Sequence, residues 1–370
     1  MASLFLFLAW ALFTYFSYQR ILNGVLGIIV FMPAYLWRFE IFGWPSTFLE
    51  LMIVTLFFVW LIKNKNYKNI NLYFKKTNDH PLSLFWRWLL ALWLLVSVVA
   101  LFVNFDESSL GLWRAYFLEP MIFFLVFIYS VKNNNDLKKI LWALSFLVLW
   151  LAILALYQNF SNWNFIAAYN FPHVKRLTSI FPYPNALSLL TAPISALLIG
   201  YGLVNIRLKN HYLYFIVGLI GVVLSYLALS QGALLALLIS GIFGLILAKK
   251  TRKTSLIIIS LFIIIGFLMT PLRVKLAVWQ QEIFRPELNL QASSLEIRSS
   301  QWQETWAMLM DRPIFGAGLS AYQKVVAPYH QYEWLEIYLY PHNIFLNFWS
   351  ELGIFGLIIF LFIMMHLIYI

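Results

Sequence analysis

Long apolar runs separated by short polar segments dominate the chain. They fall at roughly 3–18, 21–36, 46–62, 84–103, 112–130, 138–157, 184–204, 211–229, 231–248, 255–271 and 343–368. An α-helix needs roughly 20 apolar residues to cross the hydrocarbon core, with a range of about 17–25. Most runs meet that length, and the first two read as tilted or shallow helices. The pattern predicts an all-α, polytopic membrane helix bundle of about 11 spans. Three parts follow. Residues 1–271 form a transmembrane bundle of the first ten spans, with an outer loop at 158–183. Residues 272–342 form one large extracytoplasmic loop, and 343–370 a final transmembrane helix.

Within the large loop, 295–310 reads as an amphipathic helix, because Trp302, Trp306 and Leu309 fall at i, i+4 and i+7. Asp311-Arg312-Pro313 and Gly316-Ala317-Gly318 then break it. Such a helix is expected to lie on the membrane surface or pack over the bundle. The chain has no internal repeat of the kind that many transporters carry.

The polar segments set an orientation. One group holds Lys63, Lys65, Lys68, Lys75 and Lys76, then Lys132, Lys138 and Lys139, then Arg207 and Lys209, then Lys249, Lys250, Arg252 and Lys253. These segments alternate so as to share one side, and an excess of Lys and Arg marks the cytoplasm. The N-terminus is therefore expected outside and the C-terminus inside. The N-terminal run lacks the basic start of a cleavable signal and reads as a first span.

Composition sharpens this picture. The chain is 62% hydrophobic and only 11% charged, against about a quarter charged in a soluble domain. Lipid must cover most of it. The net charge of +11 does not imply nucleic acid, because the basic residues sit where membrane orientation requires them. The absence of cysteine excludes disulfides, thiol nucleophiles and cysteine metal sites. No His-x-x-x-His pair or Asp-x-Asp motif is present, so neither a metal nor another cofactor is expected. The Asp106-Glu107 pair comes nearest to a metal motif and reads better as a solvated loop tip.

The candidate chemistry lies on the outer side. Arg176 precedes the Pro182-Tyr183-Pro184-Asn185 turn, and an outward arginine runs against the trend of the other basic segments. Guanidinium binds phosphate bidentately and keeps its charge. The alternative is an arginine snorkelling to lipid headgroups. His342 opens the last span next to Asn343. It can act as general base or orient a phosphate, or it can simply belong to a polar helix cap. Arg298 borders the Trp302 and Trp306 face of the loop helix. It offers a second positive charge, or pairs with Glu296 or Glu304. Glu119 and Glu351 lie inside apolar runs, where carboxylates are costly and face the bundle interior or water. Either suits a base for a sugar hydroxyl. Glu119 suits support of Arg114 better.

Taken in order, these residues resemble the bacterial O-antigen ligase and polymerase superfamily of membrane glycosyltransferases. Arg176 followed by Phe181-Pro182-Tyr183-Pro184-Asn185-Ala186-Leu187 is similar to the family's arginine and Pro-Asn segment. Ser230-Gln231-Gly232-Ala233 resembles its Ser-Arg-Gly-Ala turn, with Gln231 where the family often has arginine. Arg298-x3-Trp302 and Pro313-Ile314-Phe315-Gly316-Ala317-Gly318 resemble the large-loop helix and its exit. His342-Asn343-x-x-Leu346 and Glu351-Leu352-Gly353-Ile354-Phe355-Gly356 resemble the signature that follows. The similarity covers roughly residues 170–360.

The resemblance implies a GT-C-like fold and inverting, metal-independent glycosyl transfer. The donor would be a glycan on undecaprenyl pyrophosphate, presented at the outer face of a bacterial cytoplasmic membrane. The acceptor would be a glycan, a lipid or a protein. Arg176 and Arg298 would hold the pyrophosphate, and His342 or Glu351 would take the acceptor proton. Asn185, Arg114, Glu119, Gln231 and Asn343 would support them. The competing class is a transporter or flippase for an anionic glycolipid. It would place ionisable groups nearer the midplane and keep its outer loops short. A purely structural membrane subunit leaves the long loop unexplained.

Overall fold

The computed structural model describes residues 2–41, 43–64, 83–161, 176–205, 210–247, 294–331 and 336–369, with a few positions between 252 and 264. The predicted span at 255–271 falls mostly outside these residues, as do 272–293 of the large loop and 162–175 of the outer loop. The described residues are 81% helical.

In order, the elements are α1 (Ala2–Gln19), α2 (Ile21–Val30), a 3₁₀ turn (Met32–Leu36), a hairpin of β1 (Arg38–Ile41) and β2 (Trp44–Thr47), and α3 (Phe48–Asn64). Next come α4 (Leu84–Val103), α5 (Glu107–Trp113), a wider π-type turn (Arg114–Leu118), α6 (Glu119–Ser130) and α7 (Asn134–Ser161). After these lie α8 (Pro184–Val204), α9 (His211–Leu227) and α10 (Gln231–Leu247). The last are α11 (Ser294–Asp311), α12 (Tyr322–Val326), a 3₁₀ turn (Ala327–Tyr329) and α13 (Ile344–Tyr369). Five described stretches are long and apolar enough to cross a membrane: Leu84–Val103, Glu107–Ser130, Asn134–Ser161, Pro184–Val204 and Ile344–Ile368. Shorter apolar helices cover Leu4–Gln19, Ile21–Val30, His211–Leu227 and Gln231–Gly244.

Several boundaries differ from the apolar pattern for identifiable reasons. The run at 21–36 is not one helix. Pro33 lacks an N–H and stands where the α-helix has already given way to the tighter 3₁₀ turn. The hairpin before α3 is the one departure from all-α structure among the described residues. Asp106 is a helix cap as well as a loop residue. Its carboxylate accepts from Ser109 N at 2.7 Å, while Ser109 Oγ accepts from Asp106 N at 3.1 Å. This reciprocal cap starts α5 earlier than predicted. The hydrogen bonds from Ser108 and Ser109 hold the Asp106 carboxyl below its usual range. Pro120 explains the wide turn that follows, because it cannot donate to the carbonyl one turn back. At the far end of the outer loop's predicted start, α7 runs on to Ser161.

The chain divides into two compact units. The first comprises Met1–Arg38, Thr47–Leu49 and Val131–Gln280. Its core gathers Leu147, Leu151, Leu187, Leu198 and Leu224 from α7, α8 and α9. Small residues allow α8 and α9 to pack closely. A Cβ on Gly202 would sit 3.0 Å from the carbonyl of His211, and one on Gly218 would sit 3.1 Å from that of Ser195. Close backbone approach is how apolar helices gain contact where lipid competes on equal terms. At one end of this unit Arg20, between α1 and α2, pairs with the buried Asp136 at 2.8 Å.

The second unit comprises Phe39–Ser46, Glu50–Ser130 and Gln281–Ile370. One core joins Ala100, Leu101, Phe117, Leu319 and Leu352. Another joins Met308 and Leu309 of α11 to Ala317, Tyr322 and Val326. The loop helix therefore packs against protein. Its buried stripe is Gln301, Glu304, Thr305 and Met308, whereas Trp302 and Trp306 remain 38% and 51% exposed. The tryptophan face is thus the open one, as a helix on a membrane surface would have it, and only Leu309 of that trio is buried.

Candidate functional site

Arg176 is built into the end of the first unit. Its Nε donates to the carbonyl of Ala228 at 2.9 Å. Its Nη2 donates to the carbonyl of Leu229 at 3.3 Å and to Asn185 Oδ1 at 3.2 Å. Ala228 is the C-cap of α9 and Leu229 follows it, so the guanidinium sits at the negative end of the helix dipole and is favoured there by charge as well as by hydrogen bonding. The segment is fastened by Leu177 N, which donates to the carbonyl of Leu227 at 3.1 Å. Gln158 at the end of α7 holds it from the other side. Its Oε1 accepts from Thr178 N at 3.0 Å and from Ser179 N at 2.9 Å. Its Nε2 donates to Thr178 Oγ1 at 2.9 Å. Arg176, Asn185 and the 229–231 turn are thus brought together, with Gln231 exposed as the first residue of α10. That Arg176 caps a helix is invisible to local pattern, because that helix ends some fifty residues downstream.

The second unit holds the other candidate charges. His342 stands before α13 with a positive φ of 49°, and Asn343 is the true cap. Asn343 Oδ1 accepts from Phe345 N at 3.0 Å and Leu346 N at 3.3 Å. His342 is thereby freed from capping, and its ring lies 4.7 Å from that of Tyr340 and 5.2 Å from that of Tyr338. Trp302 of α11 ties this corner down, donating from Nε1 to the carbonyl of Pro341 at 2.9 Å. Arg298, one turn earlier on α11, acts on His342 through its charge. Partial burial first, and the Arg298 charge second, push the His342 imidazole below its usual range. Neither an ion pair nor a hydrogen bond engages Arg298 among the described residues.

The suggested partner for Arg298, Glu304, is committed elsewhere. It is buried and pairs with His330 Nδ1 at 3.1 Å, while also accepting from Gln331 N at 3.1 Å. Beside it Thr305 Oγ1 and the Tyr322 hydroxyl lie 2.6 Å apart. Burial pushes the Tyr322 phenol up to about 12, so it is a structural hydroxyl.

Arg114 and Glu119 do meet, at 3.4 Å, but a closer partner was not foreseen. Glu50 of α3 lies 2.8 Å from Arg114 Nε. Arg114 Nη2 also donates to the carbonyl of Pro45 at 2.7 Å, and Ser46 Oγ donates to Glu50 at 2.8 Å. A carboxylate in the first turn of an apolar run is a signal that could have found Glu50. This cluster ties the hairpin, α3 and α6 together.

Glu351 lies half-buried near the middle of α13, without a hydrogen bond or ion pair among the described residues. The helix breaks just beyond it. Gly353 has φ 70° and ψ −177°, which no helix contains. The Gly316-x-Gly318 segment is seated against that break. Its Ala317 and Gly318 N–H groups donate to the carbonyl of Ser350 at 2.6 and 3.2 Å. Those N–H groups therefore face protein and do not form a phosphate loop.

Residues 213–361 match the family model described as O-Antigen ligase. No curated protein matches the chain. The matched segment holds Gln231, Arg298, His342, Asn343 and Glu351, and begins after Arg176 and Asn185. It supports the superfamily resemblance carried by the motifs. With the apolar helices long enough to cross a membrane, this similarity is in keeping with a membrane protein.

Proposed function

We propose that the chain transfers a glycan from undecaprenyl pyrophosphate to an acceptor, with inversion and without a metal, at the outer face of a bacterial cytoplasmic membrane. The observation that carries this is that Arg298 and His342 both lie in the family-matched segment, where Trp302 of the Arg298 helix donates to the carbonyl of Pro341 beside His342 and the Arg298 charge acts on the imidazole. A guanidinium that holds no acceptor among the described residues, and whose charge favours a neutral imidazole, suits a leaving pyrophosphate beside a departing proton. Negative charge grows on the pyrophosphate as the glycosidic bond breaks, and a guanidinium stabilises it through charge-assisted hydrogen bonds. His342 accepts the acceptor's hydroxyl proton, since a base must be neutral at working pH. Glu351 is the second candidate for that role.

Arg176 serves as a further pyrophosphate ligand, with Asn185 orienting it and Gln231 near its turn. Asn343, Arg114 and Glu119 are structural supports in this reading. The fold is GT-C-like with about eleven spans, the N-terminus outside and the C-terminus inside. The domain plan of 1–271, 272–342 and 343–370 goes with it. The Arg20–Asp136 pair agrees with the alternation of the spans, which puts both residues on one side.

The test is alanine replacement of Arg176, Arg298 and His342 in correctly inserted protein. Each is expected to reduce glycan product by about a hundredfold, the usual loss when one stabilising group is removed. Unchanged product in all three would end this assignment.

A further inference from the structure

The final span is two helices joined by a wedge. In an unbroken helix the N–H of Ile354 would donate to the carbonyl of Ser350, four residues earlier. Here that bond is replaced on both sides by one strap of chain. Ile354 N donates to the carbonyl of Ile314 at 3.0 Å, and the carbonyl of Ser350 accepts from Ala317 and Gly318. The Pro313–Ser320 strap thus supplies a donor for the abandoned acceptor and an acceptor for the abandoned donor. Non-helical backbone at membrane depth is tolerated only where protein or water satisfies it.

The glycines of both motifs are required by this arrangement. Gly353 and Gly316 have φ of 70° and 64°. A Cβ on Gly353 would run into the carbonyl of Ile314, and one on Gly316 into those of Trp349 and Ser350. A Cβ on Gly318, at φ 82°, would lie 2.9 Å from Val103. The strap is anchored on its other side to α4. Asn104 Nδ2 donates to the carbonyl of Ala317 at 2.6 Å, and Leu319 N donates to that of Ala100 at 3.2 Å. Trp349 Nε1 closes it by donating to the carbonyl of Pro313 at 2.7 Å.

We infer that this wedge is a positioning device: the Pro313–Ser320 strap splits the last span at Gly353 and so fixes the half-helix Ile344–Leu352, with His342 at its head and Glu351 near its foot. The inference rests on the proposed transfer reaction. Glu351 is the second residue before the break, and His342 the second residue before the helix start. A rigid half-helix held through its backbone sets both groups at once. Gly353, Gly316 and Asn104 are then positioning residues. They act through the groups they hold, and misplacement of about 1 Å costs on the order of a hundredfold in rate.

The experiment measures steady-state transfer by folded, full-length protein from an undecaprenyl-pyrophosphate oligosaccharide. It compares wild type with Asn104→Ala, Gly353→Ala and Gly111→Ala. Gly111 is the control, because a Cβ there meets nothing within 4 Å. Asn104→Ala loosens the strap without adding bulk, so it remains informative if Gly353→Ala fails to fold. The expected result is a fall in kcat of at least about tenfold for Asn104→Ala, with donor KM changed less than about threefold and Gly111→Ala at wild-type level. Unchanged kcat per folded Asn104→Ala molecule would overturn the inference and leave the transfer reading standing. An inactive but folded wild type would remove the transfer reading, and the inference with it.

Discussion

Ile354 gives its N–H to the carbonyl of Ile314, 3.0 Å away and forty residues earlier in the chain, and not to its own helix. This one bond joins two glycine motifs that in sequence look like independent punctuation. The exit of the loop helix and the middle of the last span are halves of one structural feature. Both lie within the family-matched segment, and both sit close in sequence to the groups assigned to chemistry. The physical demand is on backbone conformation and clearance, which explains why glycine occupies these places.

Arg176 and Arg298 are expected to part company when stability is measured. Arg176 donates to two helix-end carbonyls and Asn185. Lysine cannot reproduce that fork, so Arg176→Lys and Arg176→Ala both lower the thermal midpoint in detergent. The loss corresponds to about 1.5–3 kcal/mol for hydrogen bonds to a charged group. Arg298→Ala leaves the midpoint unchanged, because Arg298 holds neither an ion pair nor a hydrogen bond among the described residues. A destabilised Arg298→Ala would contradict its assignment as a ligand in waiting.

The pH profile tests the Arg298–His342 pair. Burial and the Arg298 charge both disfavour the imidazolium, so His342 titrates below its ordinary value. The neutral base persists into mildly acidic solution, and activity falls as pH drops through that lowered value. Arg298→Gln removes one of the two causes. The acid limb of kcat/KM then moves to higher pH, while burial keeps it below the ordinary histidine value. A limb that stays in place would show that His342 does not govern it.

How much of this was legible in the sequence divides by distance along the chain. The helices were readable from apolar run length, and the loop helix was placed to within a residue at each end. Period picked out the tryptophan face, which stays open, but not the face buried against protein, where Glu304 and Thr305 find polar partners in His330 and Tyr322. Arg298 and His342 were each readable from their outward context, and the meeting of Arg114 with Glu119 from charge in an apolar run. The cap made by Arg176, the grip of Gln158 and the ion pair of Glu50 depend on contacts between distant segments, which no local pattern encodes. The Gly353 break was equally hidden, since an isolated glycine in an apolar run costs only about 1 kcal/mol and need not break a helix.

Gln158 should matter more for folding than its place at a helix end suggests. Its amide oxygen accepts two buried backbone N–H groups. Gln158→Leu leaves both without that acceptor, at about 1–3 kcal/mol each. Limited proteolysis is expected to cut the segment around Arg176 faster than in wild type. An unchanged cleavage pattern with unchanged stability would show that the segment is held by other means.

The most direct measurement supplies purified, folded protein with an undecaprenyl-pyrophosphate oligosaccharide in EDTA and follows the glycan by gel and mass spectrometry. The account predicts glycan ladders or transfer to an added acceptor, lost in His342→Ala and Arg298→Ala. Donor that stays intact, or is only moved between leaflets of a reconstituted vesicle, would contradict it.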